Sequence, residues 1–367
     1  MDTYLAIGLM SGTSLDGIDA ALIETDGKKH VRPIAFRSEP YSDQARETLR
    51  AAMQLALVCE RPRQDFDIIA AEELLTRSHI LAVRKLLGDA RVAPADVAVI
   101  GFHGQTLAHR PDRGWTWQIG NGAAMAAALR IEVVNDFRTA DVAAGGQGAP
   151  LIPVYHRALT ADMEKPLVVL NIGGVANITY IGEDGGLIAF DTGPGNALID
   201  DWMLAEKGKR FDENGAFAAR GRIDEERLGS MLDHGWFDMM PPKSLDRADF
   251  TIQPVRGLTP ADGAVTLTAF TAVSISYGLK LLPEKPKRLI VAGGGRHNAT
   301  LMAMIGEACG LTPEPIEAIG WNGDATEAEG FAYMAVRTLL GLPISFPGTT
   351  GVAASQVGGV VHPVPDV

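Results

Sequence analysis

Short apolar runs, each closed by glycine or small polar residues, alternate along this chain with longer segments of helical period. Residues 4–10 predict a buried strand, 12–17 a turn, and 18–24 the strand returning from it. Helical patterns follow at 42–57 and 66–87. Two further apolar runs, 97–102 and 131–134, end in His103-Gly104-Gln105-Thr106 and Asn135-Asp136-Phe137-Arg138. After a glycine-rich loop at 143–150 the pattern restarts, with a strand at 167–172 entering Gly173-Gly174 and strands at 177–181 and 187–190. Helices are expected at 195–205, 224–233 and 266–281. A strand at 288–292 runs into Gly293-Gly294-Gly295, and a closing helix spans 327–340.

Strand, glycine turn and returning strand therefore occur twice, a loose duplication of architecture rather than of residues. Two similar α/β halves are expected, with ligands outside the carboxyl ends of the strands. The boundaries place a first domain at 1–145, joined by an extended tail at 343–367, and a second domain at 146–342.

Composition sharpens this picture. With 367 residues, 46% of them hydrophobic, the chain can fill two cores. Its net charge of −12 is spread along the chain, which argues against nucleic-acid or anionic membrane partners. The two cysteines, Cys59 and Cys309, form no CxxC pair, so neither a disulfide framework nor a zinc site is expected. The first residues lack a basic, then apolar leader, and a cytoplasmic location is the expectation.

The stretch from Gly8 to Asp19 holds the densest chemical information. Gly12, Thr13, Ser14, Leu15, Asp16, Gly17, Ile18 and Asp19 form a small-residue hairpin whose backbone N–H groups and hydroxyls can approach a polyphosphate. Asp16 or Asp19 could hold Mg²⁺, which prefers carboxylate oxygens and retains water. An ordinary hairpin turn would use the same residue types. Further glycine turns carry Asn171, Gly173 and Gly174, then Asp191 with Gly193 and Asn196, then Gly293, Gly294, Gly295 and Asn298. There is no GxxxxGK[ST], which excludes a P-loop, and the GxGxxG spacing of a dinucleotide fold is absent. Asp191, where a buried strand meets Gly193-Pro194-Gly195, suits either a general base or a helix cap. Glu327 opens the last helix, where a lone glutamate also stabilises the helix dipole. His103, Gln105, Arg138 and Asp141 cluster at strand ends and suit a polar sugar.

These motifs together resemble the anhydro-N-acetylmuramic acid kinase family, in order and over essentially the whole chain. The resemblance rests on Gly8 through Asp19, His103 through Thr106, Gln118-Ile119-Gly120-Asn121, Asp136-Phe137-Arg138 with Asp141, and Gly145 through Pro150. It extends through Phe190 to Asn196, Pro242-Lys243-Ser244, Glu327-Ala328 with Phe331-Ala332, and Thr350-Gly351. It implies a duplicated actin-like ATPase fold of ribonuclease H type, two domains around a central nucleotide cleft, and a homodimer. It also implies ATP and Mg²⁺, and a reaction that opens 1,6-anhydro-N-acetylmuramic acid with water while phosphorylating O6. Asp191 falls on the family's base and Glu327 on its supporting glutamate. After Ser244 the chain departs from the family pattern at Leu245, Asp246 and Ala248, keeping only Arg247, and Ala264 stands where a glutamine is usual. A kinase for another anhydrosugar such as levoglucosan, or a non-catalytic ATP- and glycan-binding module, are the alternative readings.

Overall fold

The structure is a computed structural model that describes residues 2–247 and 249–366; Ala248, named above for its departure from the family pattern, lies outside the described residues. The chain divides into one unit of Met1–Ala161 with Asp324–Val367 and a second of Asp162–Gly323.

In the first unit β1 (Tyr4–Ser11) pairs antiparallel with β2 (Gly17–Thr25), and β2 pairs antiparallel with β3 (Val31–Pro40). On the other side of β1 lies β4 (Val99–Arg110), parallel to it. β5 (Trp115–Ile119) folds back on β4, and β6 (Glu132–Asn135) runs parallel to β4. The tail strand Val360–His362 adds antiparallel to β6. The core order is β3-β2-β1-β4-β6.

The second unit repeats this with β7 (Leu167–Ile172), β8 (Val175–Ile181), β9 (Leu187–Pro194), β10 (Arg288–Ala292) and β11 (Pro313–Pro315), in the order β9-β8-β7-β10-β11. Its pairings have the same polarity: β7/β8 and β8/β9 antiparallel, β10/β7 and β10/β11 parallel. The repeat read in the sequence is thus present as two matching sheets, in the duplicated ribonuclease H-like, actin-like arrangement that the family resemblance implied.

Alternation along β1 divides the first unit into two cores. Ile7 and Leu9 face helices Asp43–Leu57 and Phe66–Ala90, where Leu49, Leu75 and Leu86 are fully buried. Ala6 faces the opposite core, built from Val99, Tyr155, Phe331 and Met334. Ser42 and Asp65 cap the first two helices by accepting backbone N–H groups. Gly8 and Gly101, register partners on β1 and β4, leave the sheet bare where helix Thr326–Leu339 crosses it. A Cβ on Gly8 would fall 1.8 Å from Ala328 O, and one on Gly101 would fall 2.1 Å from Phe331 O.

That packing relocates both expected boundaries. Helices Pro153–Leu159 and Thr326–Leu339 bury their apolar faces on the first unit's sheet, so the division falls after Ala161 and before Asp324 rather than at 145/146 and 342/343. β4 also runs on through His103-Gly104-Gln105-Thr106, which the sequence placed at a strand end. β3, β5 and helices Gly122–Leu129 and Ala299–Cys309 were not foreseen, and helix Pro260–Lys280 starts ahead of the expected 266. Among the described residues no helix is long and apolar enough to cross a membrane.

Candidate active site

A pocket of about 440 Å³ opens in the first unit beside the end of β1 and along β4. It is lined by the β1–β2 turn (Gly12, Thr13, Ser14), by His103, His109 and Arg138, and by Glu327. The turn is closed by the Leu15 N–H donating to Gly12 O at 3.1 Å, with Leu15 itself at a φ of 59°. Leu15 and Ile18 send their side chains into the core, so only their backbone can meet a ligand. Asp16 is exposed and its carbonyl accepts from Tyr41 N–H. Gly17 lies against the Glu39 carbonyl of β3. Asp19 is half-buried beside Ser38, and burial, with Asp324 and Asp16 nearby, raises its pKa.

Arg138 fixes the state of His103. A guanidinium only donates, and its Nε and Nη2 lie 3.2 and 3.0 Å from His103 Nε2. His103 Nε2 must therefore accept, and Nδ1–H donates to Gly104 O at 2.8 Å. The ring is neutral, and burial followed by the Arg138 charge pushes its pKa well below the usual histidine range. His109 is placed by the same logic: Nε2 donates to Gln147 O at 2.8 Å while Nδ1 lies 2.9 Å from Thr116 Oγ1. No signal in the sequence set His109 apart from other lone histidines.

Glu327 sits in the first turn of helix Thr326–Leu339, where the helix dipole favours a carboxylate. Desolvation raises its pKa, the Arg138 charge lowers it, and Asp19 raises it again. The residue keeps an exposed surface, so solvent screens these effects.

Gln105 and Asp141, expected at the sugar, are engaged elsewhere. Gln105 is fully buried, its Oε1 accepting from Ser11 Oγ at 2.7 Å and its Nε2 donating to Gly12 O at 3.3 Å. Asp141 Oδ1 accepts from Gly148 N and Oδ2 from Thr350 Oγ1, both at 2.6 Å. Both residues brace the pocket's walls.

In the second unit Asp191 lies on β9 beside a bulge, where Asn177 pairs with Asp191 but Ala176 pairs with Gly193. Its N–H donates to Lys243 O at 3.1 Å, and its Oδ2 accepts from Leu245 N–H at 2.8 Å. Burial, only partly offset by that hydrogen bond, pushes the carboxyl pKa up to about 6. Gly193 follows at a φ of 152°, pressed so close to helix Pro260–Lys280 that a Cβ would lie 2.7 Å from Ser274 Cβ.

A separate pocket of about 440 Å³ in this unit is lined by Asn196, Ile199, Asp200, Phe211, Gly294 and Asn298, among others. Asn196 ties it to the glycine turns, its N–H donating to Gly173 O at 2.7 Å and its Nδ2 to Ile172 O at 3.1 Å. Gly174 accepts the Gly195 N–H, and Gly293 abuts the Asn171 side chain. Gly295 packs on Ile172, and Asn298 caps helix Ala299–Cys309. Desolvation followed by Asp201 raises the Asp200 pKa to about 6.

The family model described as anhydro-N-acetylmuramic acid kinase matches residues 4–364. A protein of that name from Rhizorhabdus wittichii is 70% identical over 363 residues, covering 99% of this chain and 100% of its own. Its namesake from Zymomonas mobilis is 54% identical, covering 98% and 99%. Among solved structures, the activator of the 2-hydroxyisocaproyl-CoA dehydratase from Clostridium difficile aligns with a TM-score of 0.45 at 12% identity, covering 90% of this chain and 94% of its own. A ROK family glucokinase from Streptomyces griseus aligns with 0.39 at 12%, covering 90% and 99%. The distant structural likenesses leave the assignment to the sequence relatives, which span the strand ends and turns described above from one end of the chain to the other: the chain belongs to the anhydro-N-acetylmuramic acid kinase family.

Proposed function

We propose that the protein uses ATP to phosphorylate 1,6-anhydro-N-acetylmuramic acid while water opens its anhydro ring, giving N-acetylmuramic acid 6-phosphate during recycling of peptidoglycan fragments. The observation that carries this reading is Asp191, a half-buried carboxylate braced by the backbone of Lys243 and Leu245, whose pKa burial pushes up to about 6. Such a group is ionised at neutral pH yet basic enough to take a proton. Asp191 removes a proton from water as the water oxygen bonds to the anomeric carbon. The C1–O6 bond breaks, and the freed O6 takes the γ-phosphoryl group, leaving ADP.

His103 and Arg138 bind the sugar in this reading, Arg138 as the partner for a substrate carboxylate. Gly193 contributes through its backbone on the same strand as Asp191, and Asn196 through the turn it holds by its bonds to Ile172 and Gly173. Gln105 and Asp141 act on the sugar indirectly, through the walls they hold. Glu327 supports the site with its charge tuned by Arg138. The hydroxyls and N–H groups of the 12–19 hairpin serve the phosphates. Asn171, Gly173, Gly174, Gly293, Gly294, Gly295 and Asn298 serve the nucleotide.

Asp19 fits a divalent cation, because burial and the neighbouring Asp324 and Asp16 disfavour its charge by more than the Ser38 hydrogen bond favours it; Asp16 would be the second carboxylate. Among the described residues no three His, Cys, Asp or Glu side chains converge on one metal position, which accords with Mg²⁺ taking one or two carboxylates and filling its shell with water and phosphate. When bound, the ion neutralises charge on the transferring phosphoryl group. The protein is a cytoplasmic homodimer in this reading.

The test is mass spectrometry of the product formed from the anhydrosugar, ATP and Mg²⁺ in ¹⁸O-water. A 6-phosphate carrying ¹⁸O at the anomeric carbon is the expected product. No phosphorylated sugar would overturn the substrate assignment in favour of levoglucosan or a binding role.

A further inference from the structure

We propose that Thr350, in the C-terminal tail, is a positioning residue for the first unit's pocket, acting through Asp141 and the 145–150 loop. The proposal rests on the reading that this pocket takes the sugar.

Thr350 holds the loop with both its side chain and its backbone. Its Oγ1 donates to Asp141 Oδ2 at 2.6 Å, and its carbonyl accepts from Gln147 N–H at 2.7 Å. Asp141 passes the restraint on: Oδ1 accepts from Gly148 N–H at 2.6 Å, and its main-chain carbonyl accepts from Gly146 N–H at 2.9 Å. The next carbonyls along this loop hold two pocket side chains. Gln147 O accepts from His109 Nε2 at 2.8 Å, and Gly148 O accepts from Arg138 Nη1 at 2.8 Å. Ala149 lines the same pocket. A hydroxyl 209 positions along the chain from Asp141 is thus linked, bond by bond, to the Arg138 guanidinium and the His109 imidazole that line the pocket.

Thr350 and Asp141 are 0% and 1% exposed, so water does not replace a lost bond between them. The tail has other anchors. Thr338 Oγ1 donates to Gly358 O at 2.7 Å, His362 Nε2 lies 2.8 Å from Asn135 Oδ1, and Arg130 Nη1 donates to Pro365 O at 2.7 Å. Removing one hydroxyl therefore leaves the tail docked and the Gln147–Thr350 backbone bond in place, and takes from Asp141 only the partner that orients its carboxylate under the loop, which separates positioning from mere structural support.

The test compares Thr350→Val, which keeps the side-chain volume, with Thr350→Ser, which keeps the hydroxyl. With anhydrosugar and ATP varied in turn, Thr350→Val should raise the sugar KM about 10-fold while the ATP KM stays within about twofold, and Thr350→Ser should restore wild-type behaviour. An unchanged sugar KM, equal rises in both KM values, or a serine variant no better than valine would overturn the proposal. A second measurement needs no substrate: exchange of the His109 Nε2 proton, followed by ¹⁵N NMR, should quicken about 10-fold in Thr350→Val. Unchanged exchange would overturn the proposal even if the enzyme proved to act on a different sugar, an outcome that would count against the function alone.

Discussion

In the first unit the β1–β2 hairpin turn spans residues 12–16 and carries hydroxyls and a carboxylate, whereas in the second the matching β7–β8 turn is Gly173 and Gly174 alone. The two carboxylates proposed for the chemistry diverge as sharply. Glu327 is exposed, stands in a helix's first turn and has Arg138 as counter-charge; Asp191 is half-buried within β9, beside its bulge, with one backbone N–H as its carboxylate's partner. One topology, used twice, supports a carboxylate beside a guanidinium in one copy and a carboxylate held by the backbone in the other, both with pKa values raised by burial. Topology places the positions, and the neighbours of each position decide its protonation.

The largest effect that would break this comparison is at the base. Asp191→Asn should lower kcat by about 10²–10⁴-fold, while Glu327→Gln should cost less because its carboxylate acts beside a cation. Asp191→Asn should also leave Tm unchanged or raise it at pH 7.5. A carboxyl whose folded pKa is raised contributes stability that is full below its unfolded pKa and is lost as pH rises from there through about 6. Above that pH the ionised Asp191 is a cost that asparagine removes, on the order of 1–3 kcal/mol. A large fall in Tm would show that the carboxylate is structural.

Arg138→Met comes next. It strips His103 Nε2 and Gly148 O of their donor and Glu327 of its counter-charge. The sugar KM should rise by about 10- to 100-fold, with a smaller change in kcat. The smallest effect is the most discriminating. In wild type kcat/KM should fall about tenfold per pH unit below about 6, as Asp191 takes up its proton. A limb set by Asp191, which is held by the backbone, should move by less than about 0.3 unit in Arg138→Met, whereas one set by Glu327 should rise once the Arg138 charge that lowers it is gone. A larger displacement would mean that the acid limb belongs to Glu327.

The parts of the fold legible in the sequence are those with a single burial pattern. β1, β7 and β10 are continuous apolar runs closed by polar or glycine residues, and they read as strands at once. β3 did not, because its half-exposed residues and Pro33 suit an edge strand and resemble a loop. Helix Gly122–Leu129 is nearly all alanine and so shows no polar face, although Asn121 supplies its cap. Pro260 after Thr259 was a start signal for the long helix that the apolar period of 266–281 obscured.

Motif position pointed to His103, Arg138 and Glu327, which line the first unit's pocket, and to Asp191 on β9 of the second unit. It could not tell a side chain facing the pocket from one turned into its wall. Gln105 and Asp141 share the polar character expected of sugar contacts, yet each spends its hydrogen-bonding atoms on protein groups remote in sequence, Gly12 and Ser11 for one and Thr350 for the other. Such long-range pairings leave no local pattern to read.

The bare spot on the first sheet made by Gly8 and Gly101 has one further consequence. Helix Thr326–Leu339 rests on it with backbone against backbone, so the height of Glu327 above the sheet is set by two missing methyl groups. An alanine at either position would act as a shim, lifting the helix start and tilting the glutamate away from Arg138 without altering any polar atom. A random screen for inactive yet folded variants should therefore recover lesions at these two glycines, well behind the surface any ligand touches.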